Sequence, residues 1–155
     1  MDSLDLVNDL GRTYHQSREI ASALDTYNRE EQSDPISVSP ERAYELVKAQ
    51  EAILVDIRTI EERRQGYPEN SFHIPWRIGP ALLRNPRFQK VLKEITSPDT
   101  KILLICRTGR RSLEAAHELR KIGFDFAYDV LEGFEGLEDA VGVSGWKAKG
   151  LPWTR

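Results

Sequence analysis

One short segment gathers most of the chemistry in this chain. "CRTGRRS", Cys106 to Ser112, holds the only cysteine among 155 residues, with three arginines, one glycine and two hydroxyls. A cysteine works as a nucleophile through its thiolate, so its surroundings must favour negative charge on sulfur. The apolar run Ile102-Leu103-Leu104-Ile105 leads into Cys106 and reads as a buried strand. That places the thiol at a strand's carboxyl end, where open α/β sheets bind ligands. A helical pattern leaves the segment, and the N–H groups and dipole at a helix start favour an anion. Gly109 permits the backbone angles of a tight curl. Such a loop, closing from Cys106 through Thr108 to Ser112, aims several N–H groups at one point, while Arg107, Arg110 and Arg111 add positive charge. An inert core cysteine, the usual fate of a free thiol, would need neither the glycine nor the arginines.

A strand and a helix must hold that loop, and the flanking pattern supplies both. From Ser112 to Ile122, Leu113, Ala115, Ala116, Leu119 and Ile122 share one half of a helical wheel, and Glu114, His117, Glu118 and Lys121 the other. Gly123 is placed to end the helix. Upstream, "ISVSPERAYELVKAQ" predicts a short strand and then a helix with Ser39 as N-cap and Pro40 in the first turn. "AILVDI" predicts a central strand, "TIEERRQ" a short helix and "SFHIP" a third strand. "NPRFQKVLKEI" sets Phe88, Val91, Leu92 and Ile95 on one helical face, and "KILLI" and "FAYDVL" are further strands. Strands alternating with helices predict an α/β domain, a mostly parallel sheet with helices on both faces. Residues 1–33 read differently, as an N-terminal helical extension and linker ahead of a domain over 34–155. There Ile20, Ala23, Leu24 and Tyr27 recur at helical spacing between Ser17 and Glu30, and "REEQSDP" follows as a polar link.

Bulk properties narrow the function classes. The net charge of −3 argues against general nucleic-acid binding. No apolar stretch approaches the roughly 18 residues of a membrane span, and the N-terminus carries no apolar signal region. A single cysteine forms no internal disulfide and suits a reducing compartment, so a cytoplasmic location is expected. No histidine and cysteine cluster has metal-ligand spacing, and no phosphate-binding glycine motif is present. Neither a metal nor another cofactor is expected.

The segment "CRTGRRS" resembles the active-site loop of the rhodanese (sulfurtransferase) family, C-R-x-G-x-R-S. The resemblance runs from about Ser33 to Arg155. "VSPERAYELV" is similar to the family's opening strand and helix. "LVDIRTIEERRQGY" follows its L-V-D-x-R-x-x-E-E-(aromatic)-x-x-G-H pattern, "FHIPW" its I-P end, and "VLEGFEG" with "GWKAKGLPW" its closing segment, around a longer insertion. Two positions depart from the pattern: Tyr67 stands where the family has histidine, and the aromatic expected near Arg63 is absent.

The resemblance implies a rhodanese-like fold with a five-stranded sheet, and sulfur transfer as the activity. In that chemistry the thiolate of Cys106 attacks a sulfane sulfur, becomes a persulfide, and passes the outer sulfur to a second nucleophile. The N–H groups of Arg107 to Ser112 would cradle the anion. Arg107 and Arg111 would be the charged contacts to an oxyanionic donor, and Asp56 and Arg58 would support the loop. The implied partners are a small donor, thiosulfate or a persulfide, and a thiol, cyanide or protein acceptor. Two other classes compete. A cysteine phosphatase or arsenate reductase uses a related C-x5-R loop, whereas Arg111 here completes a C-x4-R ring better sized for one sulfur atom. A non-enzymatic persulfide carrier or redox-sensing module would also use Cys106. Among the remaining residues, His73 reads as a hydrogen-bonded filler and His117 as solvated. Trp146 and Trp153 read as core, and Trp76 as either core or pocket wall.

Overall fold

The centre of the domain is built from four-residue strands whose side chains are buried on both faces. A computed structural model describes residues 35–138 and 140–155. The helix expected between Ser17 and Glu30 lies outside them. Five strands lie side by side in the order β1 (Ser37–Val38), β8 (Ala127–Val130), β7 (Ile102–Ile105), β2 (Ile53–Asp56), β4 (Ser71–His73), and each neighbouring pair is parallel. This is the five-stranded parallel sheet expected from the alternating pattern. The register sets Asp56 beside both Ile105 and His73, and Asp129 beside Leu104. One end of the sheet thereby collects Asp56, Cys106 and Asp129.

Period-two alternation divides the core. Ile102, Leu104 and Cys106 join Val55, Ile57, Trp76, Phe88, Leu92, Ala115 and Leu119 on one face. Leu103 and Ile105 join Leu54, Ala43, Leu46, Val130, Phe134 and Trp146 on the other. Helix α1 (Pro40–Lys48) covers the second face; α3 (Phe88–Ile95) and α4 (Arg110–Lys121) cover the first. Each cap follows from local chemistry. Ser39 accepts the Arg42 N–H at 3.1 Å. Helix α2 (Ile60–Arg64) opens on a capping box in which Thr59 and Glu62 satisfy each other's N–H groups. Helix α4 ends in a Schellman turn: Phe124 donates to the Leu119 carbonyl and Gly123 to that of Arg120.

Two small antiparallel strand pairs add to this plan. β3 (Tyr67–Pro68) pairs antiparallel with β9 (Trp153–Thr154), and β5 (Arg77–Ile78) with β6 (Leu83–Arg84). Trp76 is 1% exposed, edge-on to Phe88 at 4.9 Å, and belongs to the core. Trp146 is buried as well. Among the described residues, no helix is long and apolar enough to cross a membrane.

Candidate active site

Strand β7 ends at Ile105, and the chain curls at once into helix α4. The curl turns on Gly109, whose φ of +100° belongs to the left-handed region that a side chain resists. A Cβ there would also press within 3.2 Å of the Glu132 backbone nitrogen. The curl closes on the Cys106 sulfur. Gly109 N–H donates to Sγ at 3.1 Å, Ser112 N–H at 3.4 Å, and the Ser112 hydroxyl lies 3.1 Å away. Cys106 itself is 1% exposed, so its sulfur forms the floor of the ring. Two N–H dipoles and a helix start aimed at one sulfur stabilise negative charge there.

A second loop, just after β8, holds the ring from behind. Phe134 N–H donates to the Cys106 carbonyl at 2.8 Å, and Glu135 N–H to that of Arg107 at 3.0 Å. Gly133 makes this approach possible: a Cβ on it would lie 2.5 Å from the Arg107 carbonyl carbon and oxygen. Glu132 braces the same loop, accepting from Gly145 N–H at 3.1 Å and from Lys149 Nζ at 3.0 Å.

The three loop arginines separate in space. Arg111 forks onto Glu62, with both N–H···O distances 2.8 Å. Burial alone would raise the Glu62 carboxyl, but the Arg111 fork, with the Thr59 bonds, outweighs it and holds the group below the usual carboxylate range. The same pairing raises Arg111 above its ordinary value, opposed by burial and helped by the nearby Asp56 carboxylate. So the arginine expected to meet an oxyanionic donor has its fork engaged by helix α2. Arg107 is exposed and reaches Glu138 at 3.7 Å; Arg110 is exposed, and Thr108 is half-buried.

Asp56 and Arg58 form a buried pair, 0% and 2% exposed. Arg58 donates Nε and Nη2 to the two Asp56 oxygens at 2.9 Å each, and Nη2 also to the Gly66 carbonyl at 2.7 Å. Arg63 adds a bond to Asp56 at 3.2 Å and one to the Ser71 hydroxyl at 2.9 Å. The Arg58 guanidinium lies 4.4 Å over the Phe134 ring, which ties this network to the loop behind Cys106. The two positions that depart from the family pattern meet: Arg63 stacks on Tyr67 at 3.9 Å. His73 Nε2 sits 2.8 Å from the Arg58 carbonyl, a hydrogen-bonded strand residue, and His117 is exposed.

Three residues of this neighbourhood escaped the sequence reading. For Glu62 the available signal was its place three residues after Thr59, the spacing of a capping box. Asp129, 2% exposed, accepts the Ser112 hydroxyl on Oδ1 and the Ser37 hydroxyl on Oδ2 at 2.9 Å. The signal for it was a lone acid in the apolar strand "AYDV". Ser37 gave no signal.

Known proteins resemble this chain. A family model described as "Rhodanese-like domain" matches residues 39–140. A Rickettsia prowazekii protein, "Uncharacterized protein RP600", is 36% identical over 113 residues, covering 70% of this chain and 87% of its own. "Thiosulfate sulfurtransferase GlpE" of Actinobacillus pleuropneumoniae is 30% identical over 115 residues, 74% of this chain and 89% of its own. The crystal structure of Rv0390 from M. tuberculosis superposes with a TM-score of 0.65 at 32% identity, over 76% of this chain and 96% of that one. Sheet order, sulfur-centred ring and relatives converge, and the chain belongs to the rhodanese-like domain family.

Proposed function

We propose that this protein is a sulfurtransferase, moving a sulfane sulfur from a donor such as thiosulfate to a thiophilic acceptor through a persulfide on Cys106. The observation that carries the reading is the ring: one sulfur at its floor, bonded by the Gly109 and Ser112 N–H groups. Cys106 sulfur attacks the outer sulfur of the donor, the donor's S–S bond breaks, and sulfite leaves with the electron pair. The persulfide's negative charge then lies above the same N–H groups, which need no rearrangement to hold it. An acceptor nucleophile takes the outer sulfur and returns the enzyme to its starting state, a ping-pong cycle. The related GlpE protein bears the name of this activity. With no second cysteine in the sequence, the acceptor is external: cyanide in an assay, a small thiol or a protein thiol in a cell. A reduced lone thiol suits the cytoplasm as the place of work.

Donor without acceptor should load the protein once and stop. Intact mass after gel filtration should show one added sulfur, absent in Cys106→Ser and released by cyanide or dithiothreitol. If no sulfur is added with thiosulfate, mercaptopyruvate or glutathione persulfide, the reading fails.

A further inference from the structure

The ring wall away from Arg111 ends in a carboxylate that the transfer steps above leave unused. Asp129 projects from β8, 2% exposed, and its Oδ1 takes the Ser112 hydroxyl hydrogen. Its Oδ2 takes the Ser37 hydroxyl hydrogen at 2.9 Å, which fixes the carboxylate against the neighbouring strand. A serine hydroxyl has one hydrogen. With that hydrogen given to Asp129, Ser112 Oγ turns only lone pairs toward the Cys106 sulfur 3.1 Å away. The contact is then satisfied by the thiol donating its S–H to Ser112. Thiol, hydroxyl and carboxylate form a directed chain of three groups, each donating to the next.

We propose that Asp129, acting through Ser112, is the internal acceptor of the Cys106 proton, and holds it between the two halves of the transfer cycle. The inference rests on the persulfide reading and adds the proton's path to it. In the first half the S–H bond breaks, its proton passes to Ser112 Oγ, and the Ser112 hydrogen passes to Asp129. The sulfur's electron pair forms the bond to the donor's outer sulfur as sulfite leaves. In the second half the acceptor bonds to the outer sulfur, the persulfide S–S bond breaks, and its pair returns to Cys106. The proton then comes back along the same chain. No oxidant or reductant is required.

Electrostatics favours this route. Ionising Cys106 into water would place a second negative charge in a buried site beside Asp129. Passing the proton to Asp129 instead moves one negative charge from oxygen to sulfur, and the buried total stays constant. After the move, the Ser112 hydroxyl points at the sulfur and joins the two N–H groups in holding its charge. The other charged groups packed around the ring already have partners or lie in solvent. Arg111 is on Glu62, Arg58 and Arg63 are on Asp56, and Lys149 is on Glu132, with Arg107 and Arg110 exposed.

Asp129→Asn keeps an oxygen for Ser112 but takes no proton. Two rates are measured from mildly acidic to mildly alkaline pH: alkylation of Cys106 by iodoacetamide, and sulfur loading from thiosulfate. At neutral pH both should fall about 100-fold, a typical loss for an internal base, and recover as hydroxide replaces the carboxylate. Ser112→Ala should do the same, and the double variant should be no worse than either single one, because both cut a single path. Wild-type rates at neutral pH in these variants, or losses that add and persist in alkali, overturn the proposal. Should Asp129→Asn not fold, as read by circular dichroism, Ser112→Ala decides by the same two outcomes. Alkylation needs no sulfur donor. A wild-type protein that alkylates but never loads would end the sulfurtransferase reading and the cycle with it, while the alkylation rates would still judge the proton path from Cys106 to Asp129.

Discussion

Two walls enclose the Cys106 sulfur, and they are built from opposite materials. On the side of β2 and α2, Asp56, Arg58, Arg63, Glu62 and Arg111 form ion pairs in which each charged group has an opposite partner. On the side of β8 and α4, two hydroxyls, Ser112 and Ser37, bond the carboxylate of Asp129. The first wall has no proton to move: its guanidiniums stay charged, and its carboxylates are committed to them. The second is made of groups that exchange protons readily. Position comes from the ionic wall, and proton traffic is left to the hydroxyl wall.

The contrast can be broken in graded steps. Cys106→Ser should have the largest effect on function, abolishing thiocyanate formation from thiosulfate and cyanide, while both walls stand and the circular dichroism spectrum is unchanged. Residual turnover would detach the site from the chemistry. The next effect falls on stability. Arg58→Met removes one partner of a buried pair, a change that typically costs about 3–5 kcal/mol, here near the lower end because Arg63 still bonds Asp56. Urea midpoints measure it; a wild-type midpoint would mean that the ionic wall is ornamental.

Glu62→Gln is gentler, since the fork lies about a quarter exposed. Loss of a charge-assisted pair there should cost about 1–2 kcal/mol, and sulfur loading should slow as Arg111 loses its anchor. The pH dependence has a definite sign. The Glu62 carboxyl is held below its ordinary value, so its contribution is present above the unfolded-state value and disappears as pH falls through the folded one. The stability gap between wild type and Glu62→Gln should therefore be full at neutral pH and close in acid. A gap of constant width would assign the effect to shape rather than charge. Smallest of all, Tyr67→Leu removes the Arg63 stack and should cost about 0.5–1 kcal/mol, read as a slight fall in melting temperature with loading unaffected.

The two walls were not equally legible in the sequence. The fold was readable because its elements announce themselves locally. Ile102 to Ile105 is an unbroken apolar run, Ser39 sits where a cap belongs, and Gly123 follows Ile122, the last apolar position of the helical pattern. The ring was readable for the same reason, since seven consecutive residues build it. What stayed hidden depends on distant pairing. Arg111 was expected to meet the donor, but its partner Glu62 lies 49 residues away, on a helix whose approach no local periodicity encodes. Asp129 sits in the strand "FAYDVL" with no local cue to its partner, because Ser112 lies 17 residues away on α4. The antiparallel pairs β3–β9 and β5–β6 give no sequence signal because two residues per strand carry no alternation.

The wedge at Gly133 has a consequence for measuring motion. Because the carbonyls of Cys106 and Arg107 are held by the amides of Phe134 and Glu135, the back of the ring cannot lift without freeing both amides. Their hydrogen–deuterium exchange therefore reports loop opening directly, and the two should share one protection factor, set by one opening event rather than by two independent ones. A resident sulfur on Cys106 that tightens the ring would slow both together, giving a backbone readout of the loaded state.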